Sequence, residues 1–154
     1  MNRAQLLQKV DERWQELVAS YADLSAAEMQ EPGVAGSWSV KDVIAHVTVW
    51  EEEALTHLPA ILAGRKPPRY SVTHGGINAF NAQMTQRNRD LALADVLRRR
   101  DDAHRRLLAF IEGVPESECG GDTRFRRRLR LDTYGHYAVH ADAIRRWRES
   151  RPVR

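Results

Sequence analysis

His136 and His140 stand in the run Asp132-Thr-Tyr-Gly-His-Tyr-Ala-Val-His140, a spacing that in a helix puts both imidazoles on one face, about one turn or ~6 Å apart along the axis. Two histidines so placed can grip one metal ion. A third, His46, lies far away in the sequence within Ser39-Val-Lys-Asp-Val-Ile-Ala-His-Val-Thr-Val-Trp50, on the apolar side of a second helical pattern. Burying an imidazole without a partner is costly, so packing of the two helices would bring three nitrogens together. Imidazole suits Zn, Ni, Fe and Cu, and three protein nitrogens leave positions open for water or substrate. An HxxxH pair alone is a weak signal, because helical histidines also serve on surfaces and in satisfied cores.

Other groups near these histidines carry less specific signals. Tyr134 and Tyr137 flank the pair, and Tyr137 is the candidate catalytic proton donor. A tyrosine beside a core is also ordinary packing with its hydroxyl at the rim. Trp38, Trp50 and Trp147 read as the wall around the histidines. His104 is expected to be partly exposed, with a ligand role as the alternative, and His57 and His74 have no evident partner. Glu53, seven residues after His46, can share its side of the helix. Cys119 follows the acidic run Glu116-Ser-Glu118, which would raise rather than lower its pKa, and it is read as structural.

The elements that would position these groups are helical. Leu6, Leu7, Val10, Trp14, Leu17, Val18 and Tyr21 recur at three and four residue intervals and describe a helix over about 2–22. A short turn of helix begins near Asp23 and ends before Pro32-Gly33. Ser39, with Asp42 three residues on, resembles a capping box. It opens a helix to about Gly64 whose stripe is Val43, His46, Val47, Trp50, Ala54 and Leu58. Arg65-Lys-Pro-Pro-Arg69 breaks it, and Ile77, Phe80 and Met84 mark a short helix ending near Asn88. That connection is long for a bundle, where about 2 to 8 residues are usual, so it either crosses the bundle or covers a site. Leu93 to Val114 gives a third long helix. The stretch from Pro115 to Leu131 reads mostly as loop, and a fourth long helix runs over about 132–149. No segment shows sustained strand alternation. The expected fold is all-α: a four-helix bundle with a long, partly helical connection between its second and third long helices, in one domain over 1–154.

The chain has 154 residues, one cysteine and a net charge of +3. This length supports one core, and one cysteine excludes an internal disulfide framework. With no secretory pattern at Met1–Gln8 and no apolar run near ~20 residues, a cytoplasmic protein without a membrane span is expected. The positive charge is almost all arginine and clusters at 98–100, 105–106, 124–130 and 145–148. Such clusters attract phosphates or acidic partners, although alternation with Asp and Glu also describes a solvated face. Under the binding-module alternative, the arginine loop of Arg126 to Arg130 recognises an anionic partner, with nucleic acid among the options.

Gly36-Ser-Trp-Ser-Val-Lys-Asp-Val-Ile-Ala-His46, with Trp50 one turn on, resembles the second-helix signature of the DinB-like superfamily of four-helix-bundle proteins, and His136-x-x-x-His140 resembles its last-helix pair. The resemblance spans essentially the whole chain. It implies a metal triad of His46, His136 and His140, with Zn or Ni the expected divalent metal. It also implies a small-molecule transferase or isomerase activity, with a low-molecular-weight thiol as the companion cofactor. Many members pair, so a homodimer is implied as well. Ala141-Asp142-Ala143 departs from the Arg-Gly-Gln found in many members after the last histidine. The His136-Tyr137 pair and Trp147 are similar to the colibactin self-protection branch, whose members are hydrolases of a reactive genotoxin, which widens the expectation to hydrolysis and detoxification.

Overall fold

In a computed structural model that describes residues 1–152, the chain is helical throughout, and the only strand-like pairing among these residues is an isolated bridge between Ala35 and Trp38. The helices are α1 (Arg3–Ala19), α2 (Ala26–Met29), α3 (Val40–Leu62), α4 (Tyr70–Thr73), α5 (Ile77–Asn88), α6 (Leu93–Glu112), α7 (Glu116–Cys119), α8 (Arg124–Asp132) and α9 (Tyr134–Ser150). The four long ones, α1, α3, α6 and α9, form the bundle. α3 packs on α6 and α8, while α1 packs on α9 and α6.

Local sequence explains where the long helices begin. Ser39 accepts from the Asp42 amide at 3.2 Å while the Asp42 carboxylate accepts from the Ser39 amide at 2.9 Å, so two otherwise orphaned donors are satisfied at the start of α3. Asn2 and Gln5 do the same for α1. The apolar stripes then meet as their periodicity requires. Leu6, Val10, Val43, Ala54, Leu58, Leu107, Ile111, Phe125, Leu129 and Ile144 are all sealed from solvent, and each large side chain contributes about 1.5–3 kcal/mol by leaving water.

The segment after Pro115 is not mostly loop. It contains α7 and a nine-residue helix, α8, started by Thr123, whose hydroxyl accepts from the Arg126 amide at 3.1 Å. Five arginines in seven residues obscure the pattern, but Phe125 and Leu129 are one turn apart and fully buried, and Asp132 lies on the same side. α8 runs directly into α9 through Thr133, whose backbone (φ −129°, ψ −102°) is not helical. Gly135 permits this bend, because a Cβ there would lie 2.8 Å from the Arg130 carbonyl oxygen. The last long helix therefore starts at Tyr134 rather than near Asp132, and α1 stops at Ala19 rather than near residue 22.

The long connection covers a site rather than crossing the bundle. Val49 and Trp50 of α3 pack with Phe80 of α5, flanked by Tyr70 and Met84. Trp50 Nε1 also donates to Asn81 Oδ1 at 2.9 Å. This second small core holds α4 and α5 against the face of α3 that carries His46. No helix among the described residues is long and apolar enough to cross a membrane.

Candidate metal centre

His46 is the seventh residue of α3 and His136 the third of α9, with His140 one turn further on. The three rings meet through their Nε2 atoms. His136 Nε2 lies 3.0 Å from His46 Nε2 and 2.9 Å from His140 Nε2. The rings are nearly perpendicular in pairs, with centroids 4.5–4.9 Å apart, which aims the nitrogens at one point instead of stacking the faces.

Electrostatics keeps these nitrogens unprotonated. Burial pushes the His46 imidazole down to about 3, with the neighbouring His140 adding to the effect. Burial pushes His136 down to about 2, helped by His140 and His46, and His140 down to about 4. At neutral pH all three are uncharged, and one Nε2–H cannot satisfy both contacts of His136 well. A cation accepting three lone pairs resolves that conflict. All three ligand atoms lie within 4.8 Å of one another, close enough for one ion to be held by the three together. His136 Nδ1 is buried without a hydrogen-bond partner, so its ring is oriented by packing rather than by the carbonyl or carboxylate that usually steadies a ligand histidine. The donor set, three neutral imidazole nitrogens, fits a divalent transition-metal ion.

Two members of the triad, His46 and His136, line a cleft of about 320 Å³ together with the apolar Trp50, Ile77 and Leu131 and the polar Tyr70, Asn81, Arg128 and Asp132. Trp38 packs 4.8 Å from the His46 ring and Trp50 6.4 Å from that of His136, centroid to centroid. Arg128 donates from Nε to Asp132 Oδ2 at 2.6 Å and from Nη2 to the Tyr70 hydroxyl at 2.7 Å, and Tyr70 in turn donates to Glu53 Oε1 at 3.1 Å.

The family pattern of the DinB superfamily matches residues 9–142. The chain belongs to the DinB superfamily. Among solved structures it is similar to the colibactin self-resistance protein ClbS in complex with a dsDNA, with a TM-score of 0.81, 15% identity and coverage of 98% of each chain. It is also similar to DfsB, described as a sibling lethal factor precursor, with a TM-score of 0.78, 15% identity and coverage of 97% of this chain and 96% of that one. A protein from Streptococcus pneumoniae gives a TM-score of 0.80 at 12% identity, over 97% of this chain and 91% of that one. At these identities the likeness carries the fold. No curated protein sequence matches the chain.

In this DinB chain the three histidines singled out in the sequence come together, and the other candidates disperse. Tyr137 is fully buried, and its hydroxyl donates to Glu51 Oε1, away from the cleft. Tyr134 is also buried, with its hydroxyl 3.4 Å from Arg126 Nη2. His104 is 5% exposed, buried rather than partly exposed. It joins Glu51 Oε1 through Nδ1 at 3.3 Å and Asp11 Oδ1 through Nε2 at 3.0 Å, under the stacked ring of Trp14. Trp147 packs under Arg151, not at the triad. His57 has a partner after all, Glu53 Oε1 at 3.7 Å, and His74 rests against Phe80. Cys119 is sealed in the core, where burial and then Glu116 push its thiol up.

The sequence reading missed Arg128, Asp132 and Tyr70 as cleft residues and Glu51 as a buried acid. Glu51 did leave a trace. It stands four residues after Val47, three before Ala54 and seven before Leu58, on the apolar stripe itself.

The depressed imidazoles have a measurable consequence for the metal-free protein. Unfolded histidines take up protons near pH 6.5, whereas these three stay neutral until about pH 4 or below. The unfolded state therefore binds more protons in that window, and stability falls as pH drops through it, by up to about 1.4 kcal/mol per pH unit for each ring. Asp132 opposes this with a single proton, because burial raises its folded carboxyl to about 6, so the folded state takes up that proton first. Urea unfolding in the presence of a chelator should show a lower midpoint at pH 5 than at pH 7, and an unchanged midpoint would contradict the burial of the three rings.

Proposed function

We propose that this chain is a divalent-metal-dependent enzyme acting on small molecules, a thiol transferase or a hydrolase with a role in detoxification, which holds zinc or nickel through His46, His136 and His140. The observation that carries the reading is the convergence of three neutral, largely buried Nε2 atoms, two of whose rings line a cleft large enough for a small ligand. Bound there, the ion would lower the pKa of a thiol or water so that a thiolate or hydroxide is available at neutral pH.

The chain's own residues supply the surroundings. Trp38 and Trp50 wall the triad from bulk water, and Tyr70, Ile77 and Asn81, from the covering segment, close one side of the cleft. Arg128 and Asp132, held to each other, add polar groups to the same lining. Tyr137 is assigned a positioning part, because its bond to Glu51 ties α9 to α3 behind the ligand histidines.

Elemental analysis of untagged protein should find close to one zinc or nickel per chain. The nickel-loaded protein titrated with cysteine should develop a thiolate-to-metal charge-transfer band if the site takes thiols, and only a ligand-field shift if water is the resident ligand. Absence of any metal after incubation with micromolar zinc or nickel would remove the enzymatic reading.

A second reading rests on the fold relative solved in complex with dsDNA. In α8, Arg124, Arg127 and Arg130 are exposed, the first two with surface bonds to the Arg65 carbonyl and Asp122, while the part-buried Arg126 and Arg128 are held by Cys119, Tyr134, Asp132 and Tyr70. Duplex binding through the exposed three would weaken steeply with salt, and the triple change to glutamine would abolish it.

A further inference from the structure

The lining of the cleft beside the triad is chemically mixed. Its apolar members are Trp50, Ile77 and Leu131, and the last two are 54% and 67% exposed. Exposed apolar side chains of this size in a cleft are surface that the body of an apolar ligand would cover. The same lining carries Arg128, whose side chain is only 17% exposed.

Arg128 is fixed from several directions. Asp132 takes Nε, the Tyr70 hydroxyl takes one Nη2 proton, and the guanidinium carbon lies 5.7 Å from the centre of the Tyr70 ring. These contacts use two of its five N–H donors and leave Nη1 with no hydrogen bond among the described residues. Arg124 donates to the Arg65 carbonyl, Arg127 pairs with Asp122 and Arg99 pairs with Glu52, and none of these three lines the cleft. Arg128 is thus the cation that lines the cleft, with its orientation set in advance and its remaining donors in the fork geometry that suits a carboxylate.

We infer that Arg128 is the specificity-determining residue of the cleft and that the preferred ligands are small molecules with an apolar, ring-sized body and a carboxylate, the body lying on Trp50, Ile77 and Leu131 and the carboxylate on the guanidinium. This rests on the metal-enzyme reading for its purpose and deepens it by naming the substrate class. Asp132 sets the strength of the contact. Its side chain is 4% exposed and accepts the Arg128 Nε bond at Oδ2, while Oδ1 takes no hydrogen bond, so it offsets the arginine charge and opposes an incoming anion. Burial raises this carboxyl to about 6, Arg128 acts against that rise, and Glu53, reached through Tyr70, adds to it.

The test uses 3-phenylpropionate and its neutral isostere 3-phenylpropanamide, with dissociation constants measured by calorimetry on the full chain, first as purified and then after metal removal so that the ion cannot itself attract the carboxylate. In the metal-free wild type the carboxylate should bind at least tenfold more tightly than the amide. Arg128→Met should bring that ratio to about one. Asp132→Asn should strengthen carboxylate binding several-fold while leaving the amide unchanged, a change that a merely structural role for the pair would not produce. Should Arg128→Met fail to fold by circular dichroism, the wild-type ratio and its rise in Asp132→Asn decide alone. Equal affinities in the wild type, no binding of either probe at millimolar concentration, or a preference that survives Arg128→Met would overturn the inference. Metal content separates the two proposals. A preserved carboxylate preference in a protein that binds no metal would remove the enzymatic reading and keep the subsite, and a metal-loaded protein without the preference would do the reverse.

Discussion

His136→Ala should reduce metal content from near one ion per chain to less than a tenth, with affinity falling by at least about a hundredfold. Loss of a residue that only supports a ligand costs 10–100-fold, and His136 is itself the central donor, 2.9 and 3.0 Å from the other two nitrogens. The effect should be separable from unfolding. In the metal-free protein the variant removes a ring whose Nδ1 is buried without a partner, so the apo melting temperature should move by only a few degrees. With zinc at a hundredfold excess over its dissociation constant, the wild type should gain about 2.7 kcal/mol of stability and the variant none. His57→Ala, which touches Glu53 and not the triad, should retain the full gain. Equal zinc stabilisation of His136→Ala and wild type would show that the ion binds elsewhere.

The second large effect is expected at a residue that does not line the cleft. Glu51 is 1% exposed, and its Oε1 accepts from the Tyr137 hydroxyl and meets His104 Nδ1, so one carboxylate links α3 to α9 and α6. Through His104 the chain of contacts reaches Asp11 on α1, which makes this a polar knot joining all four long helices. Glu51→Ala leaves buried donors on Tyr137 and His104 without an acceptor, and removing one partner of such a buried set costs about 3–5 kcal/mol. For a chain of this length that corresponds to a fall in melting temperature of roughly 10 °C. Glu51→Gln keeps an oxygen for Tyr137 and should cost about half as much. Thermal unfolding of the two variants beside the wild type checks the order, and a near-neutral Glu51→Ala would mean that water or a rearranged core replaces the missing oxygen.

These two sites differ in how legible they were. The triad was readable because its signal is local. Histidines four apart on one helix, and another on an apolar stripe opened by a capping box, are patterns that secondary structure alone converts into shared faces. The boundaries of α3 and α5 follow from the same kind of evidence, a proline pair and a change of periodicity, whereas the length of the 65–92 connection left open whether it crosses the bundle or covers a site. α8 was hidden because its helical signal consists of two apolar residues and a threonine cap among five arginines, and a periodicity read from hydrophobicity cannot register a helix that buries so narrow a stripe. Tyr137 shows the opposite limit. Its neighbour His136 points to the cleft, but one residue along a helix is a turn of about 100°, and that rotation carries the phenol into the core.

By itself, then, the sequence determined the helical class, the order and approximate length of the long helices, and the three imidazoles that share a site, because each of these depends on spacing within a few residues. The tertiary structure alone decided what surrounds them. The bend at Thr133 lets α8 lay Arg128 and Asp132 beside the triad, α4 brings Tyr70 to meet them, and Glu51, His104 and Asp11 find one another across three helices. Those partners are separated by tens of residues, and no local pattern encodes which buried charge will face which. Their pairing follows from the packing of helix faces, and with it the environment that keeps the three histidines neutral and able to accept a metal ion.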